Sequence, residues 1–98
     1  MLSIKEWQKK ITKYVVDHGF NWTPKDIDTV LLRIHSEVSE ASEAARDENM
    51  EELAEEMADI FIRLANTCEV MDIDLEAEVQ KKHKKNLDRD KLHGRKRK

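Results

Sequence analysis

The 98-residue sequence predicts an all-α protein, a four-helix antiparallel bundle. Its composition is one reason: charged residues make up 40% and aromatic residues 5%, with one proline and two glycines, a mixture that favours helices over sheets. The other is periodicity, because apolar residues recur at steps of three and four in segments joined by short connections. A chain of this length forms one domain with a modest core.

The first predicted helix lies between Ser3 and Gly19. Ser3 and Glu6 have the spacing of a capping box, and glycine commonly follows a helix end. Thr23-Pro24 predicts the start of a second helix that continues to about Arg46, because threonine caps helices and proline suits the first turn. The predicted apolar stripes are Ile4, Trp7, Ile11, Tyr14, Val15 and His18 in the first helix, and Ile27, Leu31, Ile34, Val38, Ala41 and Ala45 in the second.

A turn at residues 47–49 separates the second helix from the third. The apolar stripe of the third helix is Leu53, Met57, Ile60, Leu64 and Met71. Asp72 or Asp74 caps the fourth helix, which begins with Leu75 and continues to about Leu92. We therefore expect a single domain over residues 1–93, followed by a flexible basic tail over residues 94–98.

Several classes of protein are excluded by what the sequence lacks. Cys68 is the single cysteine and lies among apolar residues, which predicts a buried free thiol and no disulfide framework. No segment approaches the roughly 18 apolar residues of a membrane span, and the N-terminus lacks the apolar core of a signal peptide. A cytoplasmic protein with no membrane partner is the expectation.

Two acidic pairs carry most of the functional information. They are Glu37 with Glu40 in the second helix and Glu56 with Asp59 in the third. Residues three apart share one side of a helix, where like charges repel, so two such pairs favour a cation between facing helices. With about 100° per residue, each pair borders one edge of its apolar stripe, whereas Glu43 and Glu55 point outward and Glu52 stays open as a further ligand.

The predicted ligands are all oxygens, which suits a hard cation, Mg²⁺ or Mn²⁺. A di-iron bundle would need Glu-x-x-His on its helices, and neither pair ends in histidine. Any single acid is more commonly a solvated surface residue. Two pairs at matching edge positions favour the metal site.

Charge is distributed very unevenly along the chain. Residues 1–80 contain 8 Lys/Arg and 19 Asp/Glu, whereas residues 81–98 contain 10 Lys/Arg and 2 Asp. The fourth helix continues its seam from Val79 to Lys82, Asn86 and Arg89, which are donors suited to phosphate oxygens. Acidic and basic parts together suit a metal-bound nucleotide, and the alternative is a solvated helix that extends beyond the core.

These motifs together resemble those of the MazG-like all-α nucleotide pyrophosphohydrolases. The family signature E-x-x-E, spacer, E-x-x-D is matched by the two acidic pairs with fifteen intervening residues. Residues 32–41 resemble its second helix, and Lys82-x-x-x-Asn86-x-x-Arg89 with His93-Gly94 resembles its nucleotide-contacting C-terminal stretch. Arg95 departs from the usual ending.

The resemblance implies Mg²⁺-dependent hydrolysis of (deoxy)nucleoside triphosphates to the monophosphate and pyrophosphate, in nucleotide-pool sanitation or regulation. The acidic pairs would hold the metal, and Glu37 or Glu40 would accept a proton from water. The residues themselves offer Trp7, Phe20 and Trp22 for stacking on the base; Phe20 and Trp22 are the better candidates because they lie in a loop, although a core or interface role is commoner for such aromatics. The resemblance also implies a homo-oligomer, a dimer or a tetramer.

Two other functions stay open from the residues. One is a non-enzymatic helical module whose basic tail contacts nucleic acid. We consider nucleic acid a less favoured partner than a nucleotide. The other is a helical interaction protein whose acidic edges bind a protein partner and hold no metal.

Overall fold

Residues 1–93 form four α-helices and one 3-10 turn in a computed structural model, which describes side chains as far as residue 89. The elements are α1 (Ile4–Asp17), the 3-10 turn (Pro24–Asp26), α2 (Ile27–Arg46), α3 (Met50–Val70) and α4 (Leu75–His93). The described residues contain no strand, which confirms the all-α class. None of the helices within residues 1–93 is both long and apolar enough to cross a membrane.

Side-chain caps define where the helices begin. The predicted capping box of α1 is present, since the Ser3 hydroxyl accepts from the Glu6 N–H and the Glu6 carboxylate accepts from the Ser3 N–H. Thr23 instead caps the 3-10 turn, so α2 begins at Ile27, three residues after the predicted position. The Asp74 carboxylate accepts from the Ala77 N–H, and Asp74 is therefore the cap of α4.

Three helices end with the same backbone motif. The residue after the cap of α1, α2 and α3 has a positive φ: 82° at Gly19, 56° at Glu48 and 59° at Asp72. In each case this residue and the next donate to carbonyls in the last turn, the pattern of a Schellman motif. Asp72 therefore terminates α3 and does not cap α4.

The helix α3 is central, with α2 antiparallel on one side and α1 antiparallel on another. Small side chains let the helices approach closely. The buried apolar residues are Ile11, Ala41, Ala44, Ala65 and Cys68. Cys68 is a buried free thiol as predicted, and burial raises its pKa.

A buried glutamine fastens α1 to the junction of α3 and α4. Gln8 is 2% exposed, and its amide nitrogen donates to the carbonyl of Ile73 at 2.9 Å and to the carboxylate of Glu69 at 3.3 Å. Its amide oxygen accepts from the Leu75 N–H at 2.9 Å. The burial of Gln8 is not predictable from the apolar periodicity of α1, because a glutamine interrupts an apolar stripe.

The predicted apolar stripes of α2 and α3 are correct in part: Ile27, Ile34 and Ala41 in α2 and Leu53 and Ile60 in α3 lie in the seam, and the rest of each stripe is rotated away from it. Leu31, Val38, Met57 and Leu64 were placed in the core and are 49%, 47%, 58% and 36% exposed. The seam residues that the prediction did not include are Val30, Glu37 and Ala44 in α2, and Glu56, Arg63 and Thr67 in α3. Both helices carry apolar residues on two faces, so periodicity alone could not select the inner one.

The fourth helix does not pack along the other three. It contacts α1 near its start, where the Glu76 carboxylate accepts from the Ile4 N–H at 3.0 Å. Every side chain from Ala77 to Arg89 is exposed. The described part is therefore a three-helix body from which α4 extends, which differs from the predicted four-helix packing. The reason is that the predicted seam becomes polar after Val79 and offers little apolar area to bury.

Candidate functional site

Three carboxylates meet in the seam between α2 and α3. Glu37 comes from α2, and Glu56 and Asp59 come from successive turns of α3. One oxygen of each residue lies within 4.8 Å of the corresponding oxygens of the other two. The structure therefore brings together three of the four acids selected from the sequence.

The fourth acid, Glu40, borders this group from the next turn of α2. Its side chain is exposed, and it is not among the three that converge. Its charge still acts on Glu56 and contributes to the raised pKa of that residue. The neighbouring acids Glu43, Glu52 and Glu55 are exposed and lie outside the group.

The position of the acids differs from the prediction in one respect. Both pairs were expected along the edge of an apolar stripe. Glu37 instead occupies a seam position between Ile34 and Ala41, and Glu56 lies between Leu53 and Ile60. Because the true inner face is rotated from the predicted stripe, one acid of each pair lies inside the seam and its partner, Glu40 or Asp59, is exposed.

The charge of the cluster is poorly compensated at Glu56. Its Oε1 is buried and has no hydrogen-bond partner. Hydrogen bonding to Glu37, burial, and the charges of Glu40, Glu37 and Asp59 together raise the pKa of Glu56 to about 7. A cation placed among these oxygens would remove the cause of that shift.

Arg63 supplies positive charge at the cluster. Its Nε donates to Oε1 of Glu37 at 3.0 Å. Burial acts to raise the pKa of Glu37, but hydrogen bonds with Arg63 and with the Glu56 carboxyl outweigh it and hold that pKa below its usual value. Sequence reasoning missed Arg63. The signal was present, since Glu56, Asp59, Arg63 and Asn66 follow one another at steps of three, four and three.

A cavity of about 550 Å³ opens beside the acids. The loop between α1 and α2 contributes Phe20 and Trp22 to its wall, and α3 contributes Asp59 and Arg63. The remaining lining residues are Tyr14, Val15, Asn21, Asp26, Thr29, Val30, Arg33, Ile62 and Asn66. The two aromatic residues selected from the sequence therefore share a cavity with one of the selected acids.

Hydrogen bonds hold one of these aromatic side chains in place. The indole nitrogen of Trp22 donates to Oδ1 of Asn66 at 2.8 Å, and Nδ2 of Asn66 donates to the Thr12 hydroxyl at 3.0 Å. This chain of contacts anchors the loop to α1 and α3. Phe20 is 68% exposed, so its ring is the more accessible of the two.

The donors selected on α4 are not brought to the acids within one chain. Lys82, Asn86 and Arg89 are exposed and do not contribute to the cavity wall. The side chain of His93 and residues 94–98, including Gly94 and the basic tail, lie outside the described residues.

The donor set fits a hard divalent cation. The three converging groups offer carboxylate oxygens only, which Mg²⁺ and Mn²⁺ prefer over the nitrogen and sulfur ligands of zinc sites. The unpartnered oxygen of Glu56 is an independent indication, because a buried carboxylate oxygen is costly unless a donor or a cation satisfies it.

Comparison with known proteins identifies the family of the chain. The family model of the MazG nucleotide pyrophosphohydrolase domain matches residues 25–93, more than two thirds of the chain. The matched range contains all four acids and α4, and it leaves α1 and the Phe20–Trp22 loop outside. No curated protein and no solved structure matches the chain.

Proposed function

We propose that this chain, which belongs to the MazG nucleotide pyrophosphohydrolase family, is a hydrolase. It converts (deoxy)nucleoside triphosphates to the monophosphate and pyrophosphate with Mg²⁺ or Mn²⁺. The observation that carries the proposal is the convergence of Glu37, Glu56 and Asp59 within 4.8 Å beside an aromatic-walled cavity. A role in nucleotide-pool sanitation or regulation follows from that reaction.

The metal ligands in this proposal are Glu37, Glu56 and Asp59, with Glu40 completing the set from the rim. A divalent cation there supplies neutralisation of the phosphate charge and a lowered pKa for bound water. Two of the acids lie in the rigid seam between α2 and α3, so their positions are held by helix packing. Ligands on packed helices are better preorganised than ligands on loops.

Glu40 is the residue that we assign to accept the proton of the attacking water. As water adds to phosphorus, the anhydride bond breaks and pyrophosphate leaves, so a proton must be taken from the water. Glu37, the other candidate, is less suited because it lies in the seam among the converging carboxylates that would hold the cation. Glu40 is exposed and borders the cluster.

The cavity is the proposed nucleotide site. Phe20 provides an accessible ring for stacking on the base, and Trp22 forms a fixed part of the same wall. Asp59 and Arg63 lie at the end where the acids converge, so the phosphates would be directed there. No Gly-rich loop is available for the phosphates, since Gly19 and Gly94 are the two glycines.

We also propose a homo-oligomer. Leu31 and Val38 on α2, and Met50, Met57 and Leu64 on α3, are spaced by seven residues and exposed. Such stripes present a continuous apolar surface that a second copy would bury. In an oligomer, Lys82, Asn86 and Arg89 on the extended α4 would reach the phosphates of another copy, which they do not reach within one chain. Light scattering should give a mass above the 11.6 kDa of one chain.

The test is a panel of ribo- and deoxyribonucleoside triphosphates with Mg²⁺, with Mn²⁺ and with a chelator, read out as released pyrophosphate. Glu40→Gln and Asp59→Asn should lose nearly all activity, whereas Glu43→Gln, an exposed acid on the same helix as Glu40, should retain it. Full activity in both site variants would refute the assigned site. Salt-dependent nucleic-acid binding without turnover would favour the binding module instead.

A further inference from the structure

The ion pair between Arg63 and Glu37 uses one of the three nitrogens of the guanidinium group. Arginine frequently engages a carboxylate through two parallel N–H bonds. Here the bond is made by Nε alone, at 3.0 Å from Oε1 of Glu37. Within the described residues, Arg63 makes no second ion pair, and neither terminal nitrogen of its guanidinium donates a hydrogen bond there.

The location of Arg63 gives those nitrogens a second possible partner. The side chain is 41% exposed and contributes to the wall of the cavity, next to Asp59. On one side it therefore contacts an oxygen of the acidic cluster, and on the other it borders the proposed nucleotide site. A guanidinium fork matches the geometry of two phosphate oxygens.

We infer that Arg63 is an exchangeable counter-cation, which neutralises Glu37 in the metal-free protein and is released to bind the substrate phosphates when a divalent cation takes its place. The inference rests on the proposed function. Arg63 would then be a substrate-binding residue whose availability depends on the metal.

The charges of the site support this exchange. In the metal-free protein, Arg63 offsets part of the negative charge of Glu37, Glu40, Glu56 and Asp59. A divalent cation among the same oxygens supplies more positive charge at shorter range, so the arginine is no longer needed there. Linkage then requires that metal and nucleotide each strengthen the binding of the other.

Binding of Mg²⁺ alone tests the first half of the inference. In calorimetric titrations of the metal-free protein without nucleotide, Arg63→Gln should bind Mg²⁺ about fivefold more tightly than the wild type, the scale of a partly exposed ion pair. Arg33→Gln is the matched control, since it removes another arginine of the cavity wall that has no ion pair among the described residues, and its Mg²⁺ affinity should stay close to that of the wild type. Weaker Mg²⁺ binding by Arg63→Gln would mean that Arg63 only orients Glu37, and would overturn the inference.

Nucleotide kinetics at saturating Mg²⁺ test the second half. Arg63→Gln should raise KM by about tenfold or more, the scale of a lost charge-assisted hydrogen bond, with a smaller change in kcat. Arg63→Lys should recover part of the KM and bring the Mg²⁺ affinity back toward the wild-type value, because it retains the charge and loses the fork. An unchanged KM in Arg63→Gln would overturn the transfer to phosphate.

The two arms separate this inference from the proposed function. If no nucleotide is hydrolysed but Arg63→Gln binds Mg²⁺ more tightly, the activity is wrong and the counter-cation role stands. If the wild type hydrolyses nucleotides and Arg63→Gln changes neither constant, the activity stands and the inference is wrong.

Discussion

Two polar side chains, Gln8 on α1 and Glu56 on α3, interrupt the helix seams of this protein and are treated in opposite ways. Gln8 makes three hydrogen bonds, to Ile73, Glu69 and Leu75, and joins three helices. Glu56 faces three other acids and has a buried oxygen without a partner. The hydrogen-bonding groups of Gln8 are satisfied within the chain, whereas the buried oxygen of Glu56 has no partner there and is available to a bound cation or ligand.

The difference separates a structural polar residue from a functional one. A buried polar group that is fully hydrogen-bonded contributes to a unique arrangement of helices. A buried carboxylate that lacks a partner costs stability, and a protein retains such a group where a ligand or a cation uses it. The two isosteric exchanges, Glu56→Gln and Gln8→Glu, should therefore have opposite consequences.

The largest expected effect is the loss of activity in Glu56→Gln. A neutral amide has the shape of the carboxylate but cannot hold the cation as strongly, so kcat/KM should fall by about 100-fold or more, beyond the usual effect of an outer-shell residue. The stabilisation by Mg²⁺ in a thermal scan should disappear as well. Glu55→Gln, an exposed acid one residue earlier, is the control. Turnover close to the wild-type rate in Glu56→Gln would remove Glu56 from the site.

The next effect is a loss of stability in Gln8→Glu. The new carboxylate replaces a donor with an acceptor, facing the carbonyl of Ile73 and the carboxylate of Glu69. We expect the free energy of unfolding to fall by about 2–3 kcal/mol at pH 7, measured by urea denaturation.

The control for this prediction is Lys10→Ala on the same helix. Lys10 is exposed and lies over the Trp7 ring at 5.6 Å, so its loss should cost about 0.5–1 kcal/mol. A Gln8→Glu variant as stable as the wild type would show that the Gln8 contacts do not determine the junction of α1, α3 and α4.

The smallest effect is a gain of stability in metal-free Glu56→Gln. Because the pKa of Glu56 is raised from 4.5 to about 7, the folded protein holds this proton more tightly than the unfolded chain does. That contribution is present below about pH 4.5 and is lost as the pH rises toward 7, so the acid destabilises the fold at pH 8. Thermal scans in a chelator should give Glu56→Gln a higher Tm than the wild type at pH 8, with little difference at pH 4.5. A Tm at or below that of the wild type at pH 8 would contradict the strain assigned to the cluster.

Local sequence signals predicted the ends of the helices well. The capping box at Ser3, the stop at Gly19 and the turn at residues 47–49 are all present, because a cap involves residues that are close in sequence. The spacing of Glu56 and Asp59 also predicted correctly that both side chains lie on the same side of α3, where they join one carboxylate cluster. The start of α2 was three residues early, because Thr23-Pro24 is compatible with a 3-10 turn as well as with an α-helix.

The site was predicted in part. The acids were identified by type and spacing, and the sequence placed Phe20 and Trp22 in a loop, which the structure brings to the same cavity as Asp59. Arg63 was missed because its partner Glu37 is 26 residues away, on another helix. Gln8 was missed because its partners lie more than 60 residues away.

Interactions between near neighbours in the chain thus specify the number, the order and most of the boundaries of the helices, together with the acidic signature. The rotation of each helix depends on packing between distant residues. Both α2 and α3 have two apolar faces, and the face that turns inward is the one on which Ala41 and Ala44 allow close approach to α3. That rotation moves Glu37 and Glu56 from the edge of a stripe into the seam, where Arg63 compensates the charge of Glu37 and the charge of Glu56 is left uncompensated.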